Sequence, residues 1–232
     1  MNQYIVATIR SWNIAQYHAS LHRMPGQWHL IVSGEALSIQ RLREISPRFI
    51  FFPHWSEKVP TEIIDEFECV CFHETDVPYG RGGSPIQNLI ERGHTETVIS
   101  ALRMVEKFDS GPVYAKRPMS LLGLGEEIYL RAAHIVFEMI REIVLAEPDP
   151  IPQIGEPTFF RRRTPDQSRL PSTATSLSQL FDHIRMLDAD GYPRSFLEYG
   201  EFRIEFTRPA LRTEGVEAQV CITPINGEKG IS

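Results

Sequence analysis

Short apolar runs separated by amphipathic stretches of helical period constrain this chain more than any other feature. The runs are YIVATI (4–9), WHLIVS (28–33), RFIFFP (48–53) and CVCF (69–72), and between them lie NIAQYHASLHRM, SIQRLREI and, after Pro60, TEIIDEF. A run of four to six consecutive apolar residues suits a strand buried on both faces, and strand–helix alternation in this order gives a parallel sheet clad in helices. The expected fold class is therefore α/β: a Rossmann-like, mainly parallel sheet with helices on both faces, plus a small C-terminal α+β part.

Further along, Ser84-Pro85, IQNLIER and Gly93 carry the start and stop signals of a helix over about 85–92. TVISALRMVEKF reads as a strand closed by Asp109, VYAKRPMSL as a further strand, and residues 126–147 as a long helix with apolar residues at helical spacing. After Pro148 the segment PDPIPQIGEPTFFRRRTPDQSRLPSTATS becomes rich in Pro, Ser and Thr, the mark of an irregular connection wrapped over what precedes it. A helix near LSQLFDHIRML and paired strands at RSFLEYG and EFRIEFT follow. The expected division is a catalytic domain over 1–150, then a linker and small C-terminal subdomain over 151–232.

Bulk properties narrow the function classes. With 232 residues, 42% hydrophobic and 23% charged, the chain can bury a substantial core. No apolar run approaches bilayer length, and MNQYIVATIR lacks signal-peptide character, so a cytoplasmic location without membrane association is expected. A formal net charge of -6 argues against nucleic acid as a partner, and Arg161-Arg162-Arg163 lies in a Pro-rich segment where a solvated linker is expected. Cys69 and Cys71 lie two apart in a strand-like run, and reduced, structural thiols are expected, as for Cys221.

Chemistry concentrates in HETDVPYGRGGSPIQ, residues 73–87. In an open α/β sheet, ligands bind beyond the carboxyl ends of the strands, where His73 falls after CVCF. Asp109, followed by Ser-Gly, would sit at another strand end, and a carboxylate there would hold the imidazole in one tautomer. The Gly-rich turn at Arg81 and Gly83 offers a bare backbone at a helix start, suited to an anion or a flat polar ligand, although it lacks the Lys and the spacing of a nucleotide loop. The scattered histidines give no metal-ligand spacing, and no metal is expected.

HETDVPYGRGGSPIQNLIERG followed by Asp109-Ser-Gly resembles the formyltransferases that use 10-formyltetrahydrofolate, and FDHIRMLDADGYPRSFLEYG resembles their small C-terminal part. Together with RSWN and FFPHWS, the likeness is greatest to bacterial sugar N-formyltransferases of the pseudaminic-acid type. The resemblance implies transfer of a formyl group from 10-formyltetrahydrofolate to the amine of a nucleotide-linked amino sugar, with UDP-4-amino-4,6-dideoxy hexose as the expected acceptor. Methionyl-tRNA formylation is the alternative within the family, and a silent folate or sugar-nucleotide binding module the alternative outside catalysis.

By the same resemblance His73 is the acid/base or cationic donor and Asp109 the carboxylate that helps take the proton. Cys71 occupies the position of a family Asn, an oxyanion donor that a thiol replaces poorly. A nucleophilic role for Cys71 and a plain small hydrophobe are both open. Folate contacts are implied for Trp55, Ser56, Lys58, Val59, Arg81, Gly83, Val105 and Phe108. Trp12 and Asn13 are candidates for the acceptor, and His54 for the same crevice. An apolar C-terminal hairpin suits a homodimer.

Overall fold

A computed structural model describes residues 1–225. Strands and helices alternate through the first part of the chain: β1 (Gln3–Ala7), α1 (Ser11–Ser20), β2 (Gln27–Ile31), α2 (Ile39–Ile45), β3 (Phe49–Phe52), α3 (Thr61–Glu66) and β4 (Cys69–His73). Then come β5 (Arg81–Gly82), α4 (Pro85–Glu91), β6 (Glu96–Arg103), β7 (Val113–Ser120), α5 (Gly125–Ala146) and β8 (Phe159–Phe160). The last elements are α6 (Leu177–Arg185), β9 (Ser195–Tyr199), β10 (Phe202–Leu211) and β11 (Val216–Pro224).

The central sheet has the order β2-β1-β3-β4-β6-β7. Strands β2, β1, β3 and β4 are parallel, as the apolar runs predict, whereas β6 runs antiparallel to both β4 and β7. One consequence corrects the expectation for Asp109. Strand β6 stops at Arg103, beside Val70 near the start of β4, so Asp109 closes no strand and returns toward His73 on the loop between β6 and β7.

Chain alternation sorts the sheet residues into two layers. Ile5, Ala7, Ile50, Phe52 and Cys69 form one core with Leu42 of α2 and Ile63 of α3, and Cys71, Trp55 and Met104 pack at its margin. The opposite layer is aromatic: Trp28 stacks on Tyr4 (4.8 Å) and Phe51 (6.1 Å), and Phe51 meets Phe49 (5.6 Å) and Phe72 (6.5 Å). Each of these rings buries enough apolar area to contribute about 2 kcal/mol or more, which explains why four-residue strands persist.

The chain divides into two compact units with interleaved boundaries: residues 1–85, 96–120 and 130–161 form the first, and 86–95, 121–129 and 162–232 the second. In the second unit β9, β10 and β11 make an antiparallel sheet. Within it Gln87 donates to the Tyr129 hydroxyl (2.9 Å) and to Met186 O (3.3 Å), and Arg185 Nη1 donates to Leu121 O (2.6 Å) and Gly123 O (2.9 Å). Arg163, read from sequence as part of a solvated run, has a buried side chain paired with Glu91. No helix of the described residues is long and apolar enough to cross a membrane.

Candidate active site

His73 and Asp109, the residues singled out for chemistry, both lie in the first unit. His73 ends β4 and is 5% exposed. Its Nε2 lies 2.8 Å from Gly80 O. A carbonyl only accepts, so this nitrogen carries the proton. Nδ1 therefore faces Asp109, whose Oδ1 stands 3.7 Å away. That separation is too long for a hydrogen bond and short enough for strong Coulombic attraction once Nδ1 is protonated.

Asp109 is itself held firmly. Its Oδ2 accepts from Gly82 N at 2.9 Å, its carbonyl accepts from Gln153 Nε2 at 2.8 Å, and its backbone is left-handed with φ 53°. Gln153 also donates to Gly111 O (2.8 Å) and accepts from Arg81 Nε (3.1 Å) and Nη2 (2.7 Å). The side chain of Arg81 is thus spent inside the fold.

The Gly-rich turn is equally committed, which corrects its reading as an open anion cradle. Gly80 N donates to Thr158 Oγ1 (2.7 Å), Arg81 N to Thr158 O (3.0 Å) and Gly83 N to Phe160 O (3.3 Å), while Gly82 N serves Asp109. The donors are consumed because β5 pairs in parallel with β8. Gly82 has φ +106°, and a Cβ there would meet Phe160 O at 2.4 Å, so no larger residue fits. Gln153, Thr158 and Phe160 carry no sequence signature of a site and were not foreseen.

Cys71 sits between Phe52 of β3 and Leu102 of β6. Burial, reinforced by the negative charge of Asp109, pushes its thiol far above the ordinary range, and burial likewise pushes Cys69 up to about 12. Both remain thiols at neutral pH, which disfavours nucleophilic chemistry.

The remaining candidates divide by exposure. Val59 is buried in the core, and Trp55 packs edge-on against Phe52 at 5.9 Å, with its Nε1 buried and without a hydrogen-bond partner among the described residues. Ser56 and Lys58 are exposed. On the loop before Asp109, Val105 and Phe108 are 37% and 70% exposed, and Val105 lines a groove of about 370 Å³ with Ile64, Asp65, Arg103, Met104, Glu106 and Pro112.

Trp12 and Asn13 are buried within α1, and Asn13 belongs to a second polar cluster. Its Nδ2 donates to Thr8 Oγ1 (3.2 Å) and Pro53 O (3.2 Å) and lies 3.1 Å from His54 Nδ1. His54 Nε2 in turn lies 2.9 Å from Glu74 Oε1. Thr8, His54 and Glu74 each follow one of the parallel strands β1, β3 and β4.

Comparison with known proteins bears on what this geometry serves. Residues 165–223 match the family model described as "Methionyl-tRNA formyltransferase, C-terminal domain". A solved methionyl-tRNA formyltransferase from Clostridium thermocellum is 41% identical, covering 97% of this chain and 100% of that one, with a TM-score of 0.93. The methionyl-tRNA formyltransferase of Wolinella succinogenes is 28% identical over 149 residues, 62% of this chain and 48% of that protein. The chain thus spans about half the length of the curated relatives it matches. A sugar N-formyltransferase from a Shewanella species is only 12% identical, with a TM-score of 0.66 over 92% of this chain and 100% of that one, a likeness of fold alone. These findings overturn the expected nucleotide-sugar acceptor of the pseudaminic-acid type and the expected absence of a nucleic-acid partner, since the more similar proteins are named for a tRNA substrate. Net charge misled because it is a sum over the chain, whereas a nucleic acid responds to local charge.

Proposed function

The chain belongs to the formyltransferase family, and on that premise we propose that it transfers a formyl group from 10-formyltetrahydrofolate to the amine of methionyl-tRNA. The observation that carries the acceptor is the 41% identity to a methionyl-tRNA formyltransferase across nearly the whole chain. The reaction class rests on the His73–Asp109 pair.

When bound, the folate supplies a formyl carbon already activated toward an amine. As the formyl carbon bonds to the amine and its bond to the folate nitrogen breaks, the protein's task is to carry one proton from the attacking amine to that departing nitrogen and to offset negative charge developing on the formyl oxygen. His73 receives the amine proton at Nδ1, the only ring nitrogen not engaged by Gly80 O. Asp109, 3.7 Å from that atom, stabilises the imidazolium that results. Because Nε2–H stays on Gly80 O, the ring cannot turn away while Nδ1 is loaded. With Cys71 in place of an amide, the imidazolium is also the strongest donor for the developing oxyanion.

The residues present fit a folate. Val105 in the groove and exposed Phe108 on the same loop suit a flat heterocycle, and the buried, unpartnered Nε1 of Trp55 is a donor in the segment assigned to it. Ser56, Lys58, Arg81 and Gly83 complete the proposed contacts, with Arg81 and Gly83 contributing carbonyls because their N–H groups are taken.

The test mixes purified protein with 10-formyltetrahydrofolate and methionyl-tRNA, with uncharged tRNA as control, and follows the aminoacyl group for the added mass of CO. Formylation that His73→Ala abolishes supports the reading. A folded protein that binds folate and leaves methionyl-tRNA unmodified overturns it. If tRNA is the acceptor, the rate at subsaturating tRNA should also fall steeply with salt through counterion release.

A further inference from the structure

The Thr8–Asn13–His54–Glu74 cluster is not used by the mechanism above, yet it is among the most buried polar groupings in the first unit. Thr8 and Asn13 are fully buried and Glu74 is 5% exposed. Such a chain is costly to bury unless each member is satisfied, so its persistence calls for a role.

The protonation pattern is fixed by its partners. Pro53 O can only accept, so the group 3.2 Å away is the amide nitrogen of Asn13 rather than its oxygen. The same nitrogen meets His54 Nδ1 at 3.1 Å, which must then present a lone pair, leaving the proton of His54 on Nε2 beside Glu74. Burial raises the Glu74 carboxyl, but the His54 ring 2.9 Å away outweighs it, with a smaller contribution from His73, and holds it below the usual carboxylate range.

Glu74 directly follows His73, and chain alternation turns successive side chains to opposite sides of the sheet. The two residues therefore pull the end of β4 in opposite directions. Between them the backbone is pinned by Thr97 Oγ1, which donates to Glu74 O at 2.9 Å, and by Ser100 Oγ, which donates to Thr75 O at 2.7 Å. The backbone of His54 is left-handed, with φ 50°, a conformation that costs energy and must be sustained by its surroundings.

We infer that Glu74 is a positioning residue for His73: tethered through His54, Asn13 and Thr8 to the ends of β3 and β1, it fixes the end of β4 and so the placement of the His73 ring between Gly80 O and Asp109. Glu74 touches no reacting atom in this arrangement. The inference rests on the reading of His73 as the acid/base.

The test compares Glu74→Gln with Glu74→Ala. Gln keeps an acceptor for His54 Nε2–H and so keeps the tether, whereas Ala removes it. The expected result is a loss in kcat of about a hundredfold for Glu74→Ala with KM little changed, the penalty typical of a misplaced catalytic group, and a loss of only a few-fold for Glu74→Gln. The ¹⁵N spectrum of histidine-labelled protein supplies a readout independent of any acceptor. His54 should show a bare Nδ1 and a protonated Nε2, and the His73 resonances should move in Glu74→Ala but stay near wild type in Glu74→Gln. Unmoved His73 resonances in Glu74→Ala, or equal losses in both variants, would overturn the inference. Should wild type fail to formylate methionyl-tRNA, the acceptor reading falls while the spectra still decide the coupling of Glu74 to His73.

Discussion

Replacing Asp109 with Asn separates charge from geometry at the candidate site. The amide oxygen can still accept from Gly82 N, now 2.9 Å from Oδ2, so the loop should keep its place. What disappears is the attraction between a carboxylate and a proton arriving on His73 Nδ1. For unit charges 3.7 Å apart, an effective dielectric of 20 gives about 4.5 kcal/mol. At 1.36 kcal/mol per decade this corresponds to roughly a thousandfold in rate, and partial solvent screening at Asp109, whose side chain is 17% exposed, trims it to several hundredfold. Because the ring charge that Asp109 offsets arrives with the amine proton, the loss should fall on kcat and leave thermal stability and KM close to wild type. Steady-state formyl transfer, with the melting curve as control, reads all three. An Asp109→Asn enzyme within tenfold of wild type, or one impaired only in KM, would refute the assignment of the developing cation to His73 Nδ1.

Three other outcomes follow from the structure. Gly82→Ala combines a left-handed φ with a clash against Phe160 O and should cost about 2 kcal/mol or more, seen as a fall in Tm of roughly 4–8 °C, whereas Gly93→Ala, with a positive φ but open space, should lose less. Of the three thiols, exposed Cys221 should react fastest with a thiol reagent in the native state at neutral pH, half-buried Cys71, its thiol raised, much more slowly, and buried Cys69 only after denaturation; native labelling of Cys69 would contradict its placement. Glu74 is held below the usual carboxylate range in the folded state, so its stabilising contribution is complete above the unfolded value of about 4.3 and is lost as pH falls through the lower folded value. Denaturation of wild type and Glu74→Gln across that acidic window should therefore converge as pH falls, and parallel curves would count against the depressed Glu74 carboxyl.

Much of the fold could be read from pattern because β1, β3 and β4 are buried on both faces and announce themselves as unbroken apolar runs. Strand β11 escaped notice because VEAQVCITP interleaves polar residues, and Val220 and Ile222 are 51% and 60% exposed. The pairing of His73 with Asp109 was anticipated, but by the wrong route. Linear spacing carries no strand direction, so the reversal of β6 and the returning loop could not be seen. The clasp of Gln153, Thr158 and Phe160 on the Gly-rich turn was beyond reach for a different reason: its bonds are mostly to backbone, which leaves no side-chain pattern. A partial signal existed for the second cluster, since Thr8, His54 and Glu74 each stand where a buried strand ends, although only His54 and Asn13 drew notice from sequence.

The pairing of β5 with β8 sets a condition on when the site exists during synthesis. A nascent chain released at residue 150 would already carry His73, Asp109 and the whole central sheet. It would still lack Gln153, Thr158 and Phe160, the partners that hold Asp109, Gly80, Arg81 and Gly83. The geometry of the candidate site thus waits on a strap made about eighty residues after the turn it secures, so the polypeptide can fold its sheet early while His73 and Asp109 stay unset until the strap docks.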